Sequence, residues 1–239
     1  MQKQKNLKEL VEAFNKAGIP PQFSEEQSRV LIAIWRLVAK GKTIPPECIK
    51  EIASQHGMSA RGVNSLLGST AEHDSHGNIV GMFGLSQNEH PHRFQLRGYT
   101  MSTATFHVHA RLSTWCAWDS LFLPSLLHQT AEVETACPQT GEAIRLTISP
   151  IRIEEYEPEE IVVSFVLPER VKETAGEIWK SFCHHVFFFI SEEAARDWFR
   201  NRRSNKFVIL SVEEGYQLTR LVFSQLLERD RKPDGMHKF

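Results

Sequence analysis

The chain has 239 residues, with 28 Lys and Arg against 29 Asp and Glu, a formal net charge of −1 and 41% hydrophobic residues. That apolar share buries a real core, in one large domain or two small ones, and excludes wholesale disorder. The near-zero charge excludes a global basic field that would draw the chain to DNA or an anionic membrane.

No apolar run reaches the roughly 18 residues of a membrane span. The opening MQKQKNLKEL lacks the apolar stretch of a secretory signal, so a cytoplasmic location is expected. The four cysteines, Cys48, Cys116, Cys137 and Cys183, form no CxxC pair. In a reducing compartment they are expected as thiols, each packed as a small hydrophobe or used for its chemistry.

Residues 1–70 read as helical. Asn6–Lys16 places Leu7, Leu10, Val11 and Phe14 at helical spacing, and Pro20-Pro21 ends that helix. Ser24 with Gln27 forms a capping box for the run Val30–Val38, which Gly41 stops. Pro45-Pro46 opens a third helix through Ile49 and Ile52, and Ser59 caps a fourth through Val63 and Leu66. Short helices with tight turns, followed by strands, resemble a winged helix-turn-helix. After the turn cluster Asp74–Gly77, the segments Ile79–Leu85, Phe94–Leu96 and Thr100–His109 read as strands.

The second half alternates. Ser113 and Thr114 are candidate caps for a helix through Trp115–His128, which Pro124 is expected to kink or shorten. Strands Ala131–Ala136 and Ala143–Ser149 flank the turn Cys137-Pro-Gln-Thr-Gly141, and Glu160–Leu167 is a further strand. Val171–Lys180 reads as a helix and Cys183–Ile190 as a buried strand. Ser191 caps a helix over Glu192–Arg200, Val208–Leu210 is extended, and Ser211 with Glu214 caps a last helix through Leu218, Val222 and Leu226.

Two segments carry chemistry. In Trp115-Cys116-Ala117-Trp118-Asp119, a helix start places Cys116 in the first turn, where unpaired amides and the dipole favour a thiolate. Asp119, three residues on, shares its face. This is a soft metal ligand beside a proton carrier, or else a core cysteine followed by an acidic residue that complements the dipole. In Ser181-Phe182-Cys183-His184-His185-Val186, a strand would turn Cys183 and His185 to one side and His184 to the other. That is a metal site or ordinary packing; by themselves a cysteine and two adjacent histidines signal a metal weakly. Cys137 reads as structural and Cys48 as a packing residue.

The strings Trp-Cys-Ala-Trp-Asp-Ser-Leu-Phe-Leu-Pro (115–124) and Ser-Phe-Cys-His-His-Val-Phe-Phe-Phe (181–189) resemble the two cysteine motifs of the organomercurial (alkylmercury) lyases. Between them, Cys-Pro-Gln-Thr-Gly (137–141) and Leu-Thr-Ile-Ser-Pro (146–150) are similar to that family's connecting hairpin. Pro91-His92-Arg93-Phe94 and Ser211-Val-Glu-Glu214 resemble further family segments, so the likeness runs in order over about residues 24 to 228.

The resemblance implies catalytic Cys116, Asp119 and Cys183, which also hold the mercury of substrate and product, and a structural Cys137. Some members carry a second cysteine after the catalytic one; His184 stands there. Mercury(II) is soft and prefers thiolates, so the implied reaction is protonolysis: two sulfurs take the mercury and Asp119 delivers a proton to carbon. No organic cofactor is implied. The implied partners are an organomercurial substrate, cytosolic thiols and a mercuric reductase as mercury(II) acceptor, with no nucleic acid or membrane. Trp115, Trp118, Phe182 and Phe187 are candidates for apolar walls.

The expected fold is α+β: an N-terminal helical winged-helix-like region, then a mainly antiparallel sheet flanked by helices. The expected layout is an extension over 1–23, the winged-helix-like region over 24–100, a catalytic domain over 101–229 and a flexible tail over 230–239. Two other readings compete. One is a metal-sensing winged-helix transcriptional regulator, disfavoured because Ser59–Ser69 contains only Arg61 as a cation. The other is a structural zinc site of Cys116, Cys183 and His185.

Overall fold

The computed structural model describes residues 7–97, 111–166, 182–202 and 207–231. The strand expected over Thr100–His109, the helix over Val171–Lys180 and most of the tail lie outside them. The fold is α+β, built on antiparallel sheet, and no described helix is long and apolar enough to cross a membrane.

Helix α1 (Leu7–Lys16) buries Leu10 and Phe14. Helix α2 (Glu25–Ala39) starts at the expected capping box: the Gln27 N–H donates to Ser24 Oγ at 3.2 Å and the Ser24 N–H to Gln27 Oε1 at 2.8 Å. Helices α3 (Pro46–Gln55) and α4 (Ala60–Leu67) follow, the latter capped by Ser59 Oγ, which accepts from the Gly62 N–H at 3.0 Å.

Strands β1 (Ala71–His73), β2 (Ile79–Met82), β3 (Leu85–Ser86), β4 (His92–Leu96) and β5 (Leu112–Thr114) lead to helix α5 (Ala117–Leu127). Strands β6 (Ala131–Ala136), β7 (Ala143–Ile148) and β8 (Ile153–Glu157) complete an antiparallel sheet in the order β1-β2-β3-β5-β4-β6-β7-β8. A second sheet, β10-β9-β11, joins β9 (Val162–Val166), β10 (Phe188–Phe189) and β11 (Phe207–Ser211). Helices α6 (Glu192–Asn201) and α7 (Val212–Val222) pack against it, with Ser191 and the Ser211–Glu214 box at their starts as expected, and α8 (Ser224–Arg231) packs on α2, α5 and α7. Strand β4 shows the alternation of a one-sided sheet: His92, Phe94 and Leu96 are buried while Arg93 and Gln95 face water.

Several sequence expectations need correction. The run Ile79–Leu85 is two strands, because Phe83 and Gly84 both take positive φ and turn the chain. Ser113 and Thr114 pair within β5 rather than capping α5, and the cap position falls on Cys116. Cys183–Ile190 is not one strand: Cys183–His185 is a 3₁₀ turn and only Phe188–Phe189 pairs. The last helix divides at Phe223. Pro124 does not end α5, which runs on until His128 turns left-handed at φ 54.

Cys137 sits in the tight β6–β7 turn, where its N–H donates to Glu142 O and its carbonyl accepts from the Gly141 N–H, both at 2.8 Å. Its side chain is buried. Cys137→Ser should lower the unfolding free energy by about 1–3 kcal/mol, as expected for disturbing a packed site. Urea titration checks this; a fully stable but inactive variant would give Cys137 a chemical role.

His92 is 2% exposed, and neither ring nitrogen has a hydrogen-bond partner among the described residues. Burial first, then the neighbouring His90, push its pKa down to about 3. An unfolded histidine titrates near 6.5. Below that pH the unfolded chain takes up a proton that the native one refuses, so stability falls as pH drops from about 6.5 to 3, by up to about 1.4 kcal/mol per pH unit. His92→Phe should remove this component and flatten the wild-type profile in that window. Equal slopes for both proteins would disprove it.

Candidate active site

Helix α5 begins where its first residues do two jobs. Cys116 is the cap, with extended backbone, and Asp119 is the third helical residue. The Asp119 Oδ2 reaches back to accept the Cys116 N–H at 3.0 Å, satisfying an amide that the helix leaves unpaired. The local spacing that caps the helix therefore also sets a carboxyl beside a thiol.

Cys183 arrives from the 3₁₀ turn. The Ala117 N–H donates to Val186 O at 3.2 Å and ties that turn to the start of α5. Behind the turn, Ser164 Oγ donates to His185 O at 3.0 Å and accepts the Phe187 N–H at 3.2 Å, which fixes the turn to β9. As a result, the two sulfurs and an Asp119 oxygen lie within 4.8 Å of one another. Cys116 is buried; the other two are half-buried. His185 does not join this cluster, and His184 is exposed.

The electrostatics reverse one expectation. Burial raises the Cys116 thiol well above its ordinary value, and the hydrogen bond it donates to Cys183 and the Asp119 charge push the same way. A helix dipole contributes at most about 2 kcal/mol, and here desolvation wins, so the resting group is a thiol. The bond from Cys116 works to lower Cys183, but burial and the Asp119 carboxylate leave it raised as well. Burial also lifts Asp119 to about 6, against the opposing bonds from Cys116 and the charge of His90. A carboxyl poised near neutrality between two neutral thiols can accept a proton from either and pass it on.

A cavity of about 100 Å³ opens onto the cluster, with mostly apolar walls. Trp115, Trp118 and Phe182 line it as the sequence suggested. Phe187 does not, packing instead near Trp198 at 5.9 Å between ring centroids. A larger groove of about 800 Å³ elsewhere, between Gln87 and Arg145, contains no cysteine.

Sequence reasoning missed the rest of the wall. Pro20, Pro21, Phe23 and Trp35 come from the N-terminal part, Phe83 from the β2–β3 turn, Phe223 and Leu226 from the C-terminal helices. Arg229 joins the two ends, donating to Phe23 O, to Ser24 O at 3.2 Å and to Ser28 Oγ at 2.9 Å. Only the Pro-Pro pair hinted at a special backbone there. Glu72 was also missed. It accepts from Ser86 Oγ at 2.8 Å, Asn88 Nδ2 at 2.6 Å, His90 Nε2 at 3.0 Å and the Trp115 indole N–H. Burial alone would raise its pKa, yet the bonds from His90, Asn88 and Ser86 hold it down to about 2. This carboxylate anchors the Trp115 wall.

Two neutral thiols beside a poised carboxyl, at an apolar cavity on an α+β scaffold, are a donor set that could hold a soft metal ion next to an apolar group. The sequence profile of the alkylmercury lyase family (MerB) matches residues 85–224. The chain is 30% identical to the alkylmercury lyase of Bacillus cereus over 231 residues, covering 96% of each chain. It is 31% identical to that of Pseudomonas putida over 223 residues, covering 92% of this chain and 93% of the relative. Among solved structures, the mercury-bound form of MerB2 superposes with a TM-score of 0.68 at 19% identity, covering 92% of this chain and 99% of that one. The chain belongs to the alkylmercury lyase family and is an organomercurial lyase.

Proposed function

We propose that this protein cleaves carbon–mercury bonds by protonolysis, with Cys116, Cys183 and Asp119 as the reacting groups. The observation that carries this reading is the convergence of two sulfurs and a carboxyl within 4.8 Å at an apolar cavity. Mercury(II) is soft and prefers sulfur, while the alkyl or aryl group prefers the aromatic walls.

The substrate R–Hg–X reaches the thiols. As the first sulfur–mercury bond forms, X⁻ leaves and the thiol proton passes to the Asp119 carboxylate. The second thiol then adds to mercury, raising the electron density on carbon. Asp119 delivers a proton to carbon, the carbon–mercury bond breaks and R–H departs. The second thiol's proton then passes to the freed Asp119 carboxylate and is released to solvent with X⁻. Mercury(II) remains on both sulfurs, with Asp119 as a third ligand, until two small thiols or a mercuric reductase take it by exchange. The chain needs no organic cofactor for these steps. The reacting groups lie in the proposed catalytic domain, residues 101–229, with residues 24–100 as its winged-helix-like companion.

Incubation of the purified protein with phenylmercury and excess small thiol should release benzene. Absence of benzene while the protein holds phenylmercury on its cysteines would overturn the reading.

A further inference from the structure

We propose that the Phe83–Gly84 turn is the positioning device for the Asp119 carboxyl, and that position 84 must be glycine because any side chain there would displace that carboxyl from the sulfurs. The inference rests on the reading of Asp119 as proton carrier.

The turn joins β2 to β3 with only two residues, Phe83 at φ 39 and Gly84 at φ 90. Two-residue hairpins of this kind demand positive φ at both places, where Asn and Gly are usual. Phenylalanine in the left-handed region is strained, and such strain persists only where the surroundings over-determine it. Here they do. The Phe83 N–H donates to Thr70 O at 3.2 Å, and the Trp115 N–H donates to Gly84 O at 3.1 Å. The Trp35 indole donates to Met82 O at 3.2 Å, and the Phe83 ring packs on Phe23 and Trp35 with centroids 5.9 and 6.1 Å away.

The pinned turn is pressed onto Asp119. A Cβ built on Gly84 would stand 2.3 Å from Asp119 Cγ, 2.4 Å from Oδ1 and 2.8 Å from Oδ2. All three carboxyl atoms lie closer than real contacts allow. On another side the carboxyl is fixed by the Cys116 N–H. Gly84 thus keeps water from one face of the carboxyl and holds it toward the sulfurs. Gly77 supplies the contrast: its φ is +81, but a Cβ there meets nothing within 4 Å.

The test compares Gly84→Ala with Gly77→Ala, which imposes similar backbone strain without crowding the carboxyl. Each variant is loaded with one equivalent of phenylmercury, and capture by the cysteines is measured separately from single-turnover benzene release. Gly84→Ala should capture phenylmercury yet release benzene about 10²-fold more slowly, the scale of misplacing a reacting group by about 1 Å. Gly77→Ala should release it at the wild-type rate. Adding Gly84→Ala to Asp119→Asn should cause no further loss, because the group it displaces is already disabled. Wild-type release by Gly84→Ala, or an equal loss in both backgrounds, overturns the inference. If Gly84→Ala does not fold, Gly84→Ala with Asp119→Ala should fold again, and failure of that pair likewise overturns it. Wild-type release by Asp119→Asn would instead overturn the reading of Asp119 itself.

Discussion

Serine in place of Cys116 should end benzene release while leaving the protein folded. A hydroxyl is a hard, weak ligand for mercury, so the first sulfur–mercury bond is lost and the chain can no longer place two sulfurs on the metal. The fold should survive. Burying a hydroxyl costs about 1–3 kcal/mol, against a typical stability of about 5–15 kcal/mol. Cys183 and Asp119 are also at hand as hydrogen-bond partners. Cys183→Ser should be equally inactive, since one sulfur cannot both anchor mercury and activate the carbon. Far-UV circular dichroism with a benzene assay checks both variants. Near-wild-type release by either folded variant would refute the pairing, as would full activity of Cys183→Ser alongside an inactive, folded Cys137→Ser.

Asp119→Asn should separate capture from cleavage. The amide keeps the size of the carboxylate, and its oxygen can still accept the Cys116 N–H, so the start of α5 is preserved. Both sulfurs remain, and a stoichiometric phenylmercury adduct should form. Release of benzene should slow by roughly 10²–10⁴-fold, the usual worth of a positioned acid–base group. Mass spectrometry reads the result directly: an adduct that keeps its phenyl group fits the role, and bare mercury on the protein shows that the proton comes from elsewhere.

The same step predicts a pH dependence. Asp119 is lifted to about 6 and must be a carboxylate to accept the first thiol proton. Wild-type kcat/KM should therefore fall as pH drops through about 6. That limb should vanish in Asp119→Asn, and a limb that persists would assign it to another group.

Local sequence determined much of this protein. Ser24–Gln27, Ser59, Ser191 and Ser211–Glu214 mark helix starts through hydrogen bonds to residues three positions away, which short-range spacing encodes. The three-residue spacing of Cys116 and Asp119 likewise specified their neighbourhood, because one helical turn brings them together. The family motifs identified Cys183 as their companion. Tertiary structure alone decided how close it comes, through a turn held by Val186 and Ser164 rather than the strand its β-branched and aromatic neighbours suggested.

Burial also reversed the charge state expected of Cys116, since desolvation depends on what the rest of the chain packs around the sulfur. Glu72, Gly84 and Phe223 carry no local signature of a site. They matter because the β1–β3 strands and the junction of α7 and α8 close over α5. The bond from Arg229 to the Phe23 carbonyl spans 206 positions in sequence, and no periodicity, cap or turn signal acts over that distance. Only the packing of the folded chain brings such residues to one cavity.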